Sequence, residues 1–387
     1  MALLRGGFLL LVAMMALFSS VASGADVLEA VANIYGAGVF ANKNQISGTV
    51  TFTQTIPTGE ELPAVRIQAD VRGLPAGAHG FHAHQFGDVR NFSDMSTVGL
   101  HFVPLCQSQS TNPEECKKDQ LHGLPPSETR QPGDFGNIVA DAQGRAVYDE
   151  MIGQEKVGLA HFSRSVVGRA ILIHTSEDDG SQPYGKAGPP IAVGVIGIKN
   201  PGNENDANVA VTATEPTPTI AVCNFIPRGE WTVKGVAVML YSQYPDRKTR
   251  LWAKFDSGLS EGVKSYHFHS WGDTSSGDSG DLGPIYNGPN DEKINIDTLT
   301  VSGNAPHYYD ATFDDSHGLT KHIGRSLTIH DGPTSASPTI GVAVCGLANP
   351  EARKLLQGNS SPRGAMLGNP LALFLGVVAA LFARSAI

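Results

Sequence analysis

Few residues here carry charge, 17% of 387, and the basic ones are the scarcer: 28 Lys and Arg stand against 37 Asp and Glu, a formal charge of −9. That balance argues against nucleic acid or an anionic membrane surface as partner, since both are held through excess positive charge. Helical periodicity is missing too; no long segment repeats its apolar residues at the spacing of a helix face. No apolar run is long enough to cross a bilayer. The two that come nearest lie at the ends, FLLLVAMMALF at 8–18 and LALFLGVVAALFA at 371–383. A hydrophobic content of 41% argues against disorder, and 44 Gly with 24 Pro are too many turn formers for a long helical protein.

Residues 1–24 read as a secretory signal: Arg5 gives the positive start, 8–18 the apolar core, and Val21-Ala22-Ser23-Gly24 the small residues of a cleavage site. The other end has the parts of a glycosylphosphatidylinositol (GPI) signal. Asn359-Ser360-Ser361 is small and polar, a spacer follows, and 371–383 is the apolar tail. A tail-anchor helix is the other reading, for which that tail is short. The expected mature chain runs from about Ala25 to about Ser360, lies outside the cell, and meets the membrane through a lipid anchor only. Secretion permits disulfides, and Cys106, Cys116, Cys223 and Cys345 allow three pairings. Asn91, in Asn91-Phe92-Ser93, is a glycosylation sequon.

An internal repeat organises what remains. GFHAHQFGD (80–88) returns as SYHFHSWGD (265–273), and VVGRAILIH (166–174) as HIGRSLTIH (322–330). IAVGVIGI (191–198) has a weaker echo in VAVCGLAN (342–349). Three segments in the same order imply a duplicated domain. The expected division is 1–24 signal, 25–198 first domain, 199–219 linker, 220–350 second domain and 351–387 tail. The linker is marked by its Pro, Asn and Thr content. Runs such as 48–53, 65–71 and 170–173 are short, β-branched and bounded by turn residues. Each copy therefore reads as all-β, an antiparallel sandwich or barrel.

The histidines carry the chemistry. His82 and His84 form H-x-H, and side chains two apart on a strand share a face, so both imidazoles can reach one metal. His174 ends another strand and can add a third nitrogen. An all-imidazole set suits copper or zinc. The pattern alone also occurs in metal hydrolases, cupins and ordinary surface strands; a hydrolase would need a general base that no motif places.

From about Gly73 to Ile198 the first copy resembles the extracellular copper/zinc superoxide dismutases, through GLPAGAHGFHAHQFGD (73–88), GLHFVP (99–104), GDFGN (133–137), VVGRAILIH (166–174) and GVIGI (194–198). The resemblance implies an eight-stranded Greek-key β-barrel with copper on its outer face, hence two such domains in tandem. It implies His82, His84, His101 and His174 as copper ligands, with His101 bridging copper to zinc and carrying a proton to the product. His122 and Asp134 match further zinc ligands, but the third zinc histidine falls on Gln131, and an amide is a poor ligand for zinc. Asp178, with Asp179 beside it, falls where the family places an aspartate that orients ligand histidines. A charged turn is the alternative for this EDDG stretch.

Other departures are physical as well. The positions of the family's loop disulfide hold Met95 and Val193, and that of its active-site arginine holds Pro190, with Lys186 a candidate replacement charge. In the second copy His267, His269 and His330 keep the three copper positions, Ile285 takes the bridging one, Val342 the arginine one, and no zinc ligand can be found. These losses, the repeat and the tail resemble the copper-only, tandem-repeat relatives. The reading is extracellular, copper-dependent dismutation of superoxide to O2 and H2O2 by the first domain. Its alternative is a non-catalytic copper-binding or adhesion protein of the cell surface. The sequence names no partner for the second domain. Cys106 and Cys116 are close in sequence and are expected to pair within the metal-site loop. Cys223 and Cys345 lie on the first and last strands of the second copy, neighbours in the resembled barrel, and form the other expected pair. His79, His161, His307, His317 and His322 have no place in either metal set and read as structural or surface residues.

Overall fold

The computed structural model describes residues 26–40, 45–56, 64–103, 119–153, 155–159, 164–202, 218–242, 246–277, 279–287, 298–315 and 318–357. The signal stretch, the apolar tail, most of the linker, Cys106 and Cys116, His161 and His317 lie outside the described residues. No helix among the described residues is long and apolar enough to cross a membrane.

The first eight strands are β1 (Asp26–Gly36), β2 (Ser47–Ile56), β3 (Val65–Arg72), β4 (Gly77–Ala83), β5 (Asp134–Ala140), β6 (Ala146–Ile152), β7 (Ala170–His174) and β8 (Pro190–Ile198). They close into an antiparallel barrel in the order β1-β2-β3-β6-β5-β4-β7-β8, a Greek-key connectivity in which β4 and β7 are reached by crossovers. Alternation builds it. Val65, Ile67, Ala69 and Val71 of β3 face inward, and Phe52, Phe81 and Phe135 meet at the centre with ring centroids 5.8–6.4 Å apart. The strand runs expected at 48–53, 65–71 and 170–173 are β2, β3 and β7.

The second eight are β9 (Ile220–Phe225), β10 (Lys234–Ser242), β11 (Lys248–Ser257), β12 (Gly262–His269), β13 (Thr298–Val301), β14 (His307–Asp314), β15 (Ser326–His330) and β16 (Thr339–Leu347). Their order is β13-β12-β15-β16-β9-β10-β11-β14, the first order repeated but left open between β13 and β14. The corresponding closure in the first barrel rests on one pair, Ala140 with Ala146. Cys223 and Cys345 are direct cross-strand partners on β9 and β16 and form a disulfide, with Cα atoms 4.2 Å apart. This is the pairing expected for the second copy.

Met95 and Val193, the residues expected at the positions of a loop disulfide, share one buried apolar cluster with Val89, Val98 and Leu172. Stacking of Tyr35 on Phe92, at 5.6 Å, holds the same loop. Dispersion and burial thus tie the loop to the barrel without a covalent bond.

Candidate metal centre

Strand β4 sets the site by its alternation. Phe81 and Ala83 point into the core, so His82 and the following His84 point out of the barrel on one face. A register shift between Gly80 and His82, where β4 meets β5, bends the strand beside the site. His174 ends the neighbouring β7, and His101 lies opposite His84 in an isolated bridge. One nitrogen from each of His82, His84, His101 and His174 lies within 4.8 Å of the others, and all four residues are buried. A second group of the same closeness joins His101, His122 and Asp134. His101 is common to both.

Hydrogen bonds decide which nitrogen of each ring is free. His84 Nδ1 bonds the Gly99 carbonyl at 3.0 Å, and His174 Nδ1 the Gly188 carbonyl at 2.7 Å. His82 Nε2 donates to Asp178 Oδ2 at 2.8 Å. The remaining atoms, His82 Nδ1, His84 Nε2 and His174 Nε2, are buried and have no partner. A buried lone pair without a donor is costly unless something occupies it. Here three of them converge, which fits a copper ion held by imidazoles that their other nitrogens orient. Burial pushes His82 down to about 4 and His174 to about 3, against the ordinary 6.5, and His84 well down. These rings are neutral near pH 7, as metal ligation requires.

Asp134 explains what holds His101. Its Oδ1 accepts from His101 Nδ1 at 2.8 Å, and its Oδ2 accepts the amides of Gly123 and Gln131 at 3.0 and 3.2 Å. Burial opposes it, but the hydrogen bonds and charge of His101 and His122 hold the Asp134 carboxyl below its ordinary value. His101 is therefore anchored through protein atoms alone. His122 sits between Asp134 Oδ2, 2.8 Å from its Nδ1, and Asp178 Oδ1, 3.0 Å from its Nε2. Burial would lower it, but the two carboxylates outweigh burial and hold it up at about 9. A proton on His122 thus competes with any metal there. Gln131 donates through Nε2 to the Gln120 carbonyl, while its buried Oε1 has no partner. Three zinc-type donors converge, with an amide oxygen as the only protein group offered at Gln131.

Asp178 is fully buried, bridges His82 to His122, and also accepts the Gly180 amide of the EDDG turn at 2.9 Å. Asp179 is the exposed turn residue, and it pairs with Lys186 at 3.0 Å, so Lys186 is not a free cation. Pro190, expected at the arginine position, begins β8 opposite His174, and the residue in the corresponding place opposite His330 is Thr339, not Val342 as expected. Asn91 lies in a surface loop with its amide donating to Ser96 Oγ at 2.8 Å.

The second barrel repeats the scaffold and not the set. His269 lies opposite Ile285 in an isolated bridge, as His84 lies opposite His101, which fixes Ile285 as the counterpart of His101. His269 Nδ1 bonds Gly283 O at 2.8 Å, and His330 Nδ1 bonds Ser337 O at 2.9 Å. Both nitrogens of His267 and Nε2 of His269 lack partners, whereas His330 Nε2 meets Thr328 Oγ1 at 3.1 Å. Among the described residues, the close groupings of metal-type donors occur in the first barrel only.

Some features were invisible in the sequence. Gly99 and Gly188 act through backbone carbonyls, which every residue has. Tyr184 puts a half-exposed ring 5.8 Å from His101, in a loop without a motif. His79 is buried and bridges the carbonyls of His174 and Pro75 at 2.8 and 2.7 Å, a structural role as expected. His322 is likewise buried, between Phe268 and Phe313.

Comparison with known proteins places this geometry. A family model described as copper/zinc superoxide dismutase matches residues 46–196. A Drosophila melanogaster protein named extracellular superoxide dismutase [Cu-Zn] is 32% identical over 49% of this chain and 98% of its own length. A Brugia pahangi protein of the same name is 32% identical over 42% of this chain and 74% of its own. Superoxide dismutase [Cu-Zn] 3 of Arabidopsis thaliana is 30% identical over 43% and 93%.

Proposed function

Because the chain belongs to the copper/zinc superoxide dismutase family, we propose that its first barrel carries the dismutase activity, outside the cell, at copper held by His82, His84, His101 and His174. The observation that carries this reading is the convergence of the unpartnered nitrogens of His82, His84 and His174 beside His101. Copper, when bound, supplies the one-electron exchange that oxidises one superoxide to O2 and reduces another toward H2O2. The protein's part is placement. Gly99, Gly188 and Asp178 fix three rings by their far nitrogens. Asp134 holds His101 by Nδ1, leaving its Nε2 to hold a proton. Relatives named extracellular and the pattern of residues 1–24 support secretion, and the sequence of the tail supports a lipid anchor.

Pro190 offers no charge where an arginine would draw in an anion, and Lys186 is paired with Asp179. The proposed enzyme is therefore slower than an arginine-bearing one, since one guiding cation is lost. In the second barrel, His267, His269 and His330 are proposed to hold copper without turnover, because Ile285 provides neither ligand nor proton. Metal analysis of the purified chain, with a superoxide-consumption assay, tests both assignments. The expected result is copper retained and superoxide consumed. Retained copper without consumption would favour the cell-surface copper-binding alternative.

Zinc is the weaker occupant in this reading. Gln131→His replaces an amide by the imidazole that a tetrahedral zinc shell prefers, and is expected to raise the zinc affinity of the chain in a competitive chelator titration. A wild-type protein that already copurifies with one tight zinc would overturn the copper-only assignment.

A further inference from the structure

The two barrels meet through contacts that follow the repeated strand order, with Leu347 in the place of Ile198 and Asn349 in the place of Asn200, two residues off the weaker echo read in the sequence. Gly87 N–H donates to Leu347 O at 2.9 Å, and its repeat counterpart Gly272 N–H donates to Ile198 O at 2.9 Å. Leu347 N–H donates to Gly168 O at 2.7 Å, and Ile198 N–H to Gly324 O at 2.7 Å. Asn349 N–H reaches Asp88 Oδ2 at 3.2 Å, and Asn200 N–H reaches Asp273 Oδ2 at 3.2 Å. These three pairs of bonds match side for side, the relation that a two-fold axis imposes on an isologous interface, and the symmetry is approximate: Asn33 Nδ2 donates to Thr274 O at 2.6 Å, whereas Asn224 Nδ2 in the other barrel has no partner.

Glycines allow the approach. Across the seam, a Cβ on Gly346 would lie 2.9 Å from Gly87 Cα, and one on Gly197 would lie 2.5 Å from Gly272 O. The apolar residues beside these glycines are exchanged. Trp271 of the second copy packs into the core of the first barrel, and Phe86, its counterpart, packs against the core of the second. We infer that the second barrel is a built-in partner subunit, docked on the first about an approximate two-fold axis, so that one chain forms a complete particle and this face takes no second copy.

The docking also reaches the metal centre. Gly87 is three residues beyond His84, and Asn349 of the second copy bonds Thr97 O at 3.1 Å as well as Asp88. It thus clamps the loop that runs from Asp88 to His101. Asn349 is a positioning residue for that loop, and the second barrel supports the first whether or not it holds copper.

The test reads assembly, so it is independent of metal and activity. A protease site inserted between 203 and 217 in the otherwise full chain allows the halves to be separated covalently. Sedimentation of intact and cleaved protein at micromolar concentration is expected to give one particle with the mass of one chain in both cases. Hydrogen exchange should find the amides of Gly87, Ile198, Gly272 and Leu347 protected as a group, before and after cleavage. Halves that drift apart, an intact chain that sediments as two copies, or open exchange at those four amides would overturn the inference.

Discussion

His84→Ala abolishes superoxide consumption and leaves the β-sheet spectrum of the chain unchanged. The substitution removes the ring whose buried Nε2 faces the other imidazoles. It touches nothing in the core, because Phe81 and Ala83 supply the inward face of that strand. The fold loses one hydrogen bond, from His84 Nδ1 to Gly99 O, worth about 1 kcal/mol. The metal loses a direct ligand. Residues that merely orient metal ligands cost about 10- to 100-fold in affinity or activity when removed, so a ligand itself is expected to cost at least the upper figure. An assay of the purified variant, alongside its circular dichroism, checks both halves. Unchanged activity would remove the dismutase assignment from this cluster.

Replacing both Cys223 and Cys345 by Ala destabilises the second barrel by roughly 2–5 kcal/mol, the usual range for loss of a native disulfide in a secreted domain. The bond closes a sequence separation of 122 residues, so its loss returns much freedom to the unfolded chain. Both cysteines are fully buried between β9 and β16, the central strands that join the two halves of a sheet left open between β13 and β14. Denaturant unfolding should show the second barrel melting before the first in the variant. A shift below about 1 kcal/mol, within the range of ordinary point substitutions, would mean that β9 and β16 are held by packing alone. Because β16 supplies Leu347 to the seam, the paired amides of Gly87 and Leu347 should lose exchange protection at the same time.

The sequence by itself determined the fold class, the duplication and the copper-type histidines. Their signals are local: alternation in β3, H-x-H in β4 and a repeated order of motifs depend on side-chain period and on residues that only certain chemistry needs. The pairing of Cys223 with Cys345 was within reach because two strands carry them and the resembled barrel makes those strands neighbours. Tertiary structure alone decided the rest. That Asp178 of the EDDG turn bridges His82 to His122 depends on what faces it, and those rings come from β4 and from a loop far along the chain. That Asp134 holds His101 directly, and that Met95 and Val193 pack where a disulfide is absent, are likewise meetings of distant segments. The seam between the barrels is made largely of backbone N–H and C=O groups and of glycines. Such groups are the same at every position in a chain, so only their placement in space could identify them.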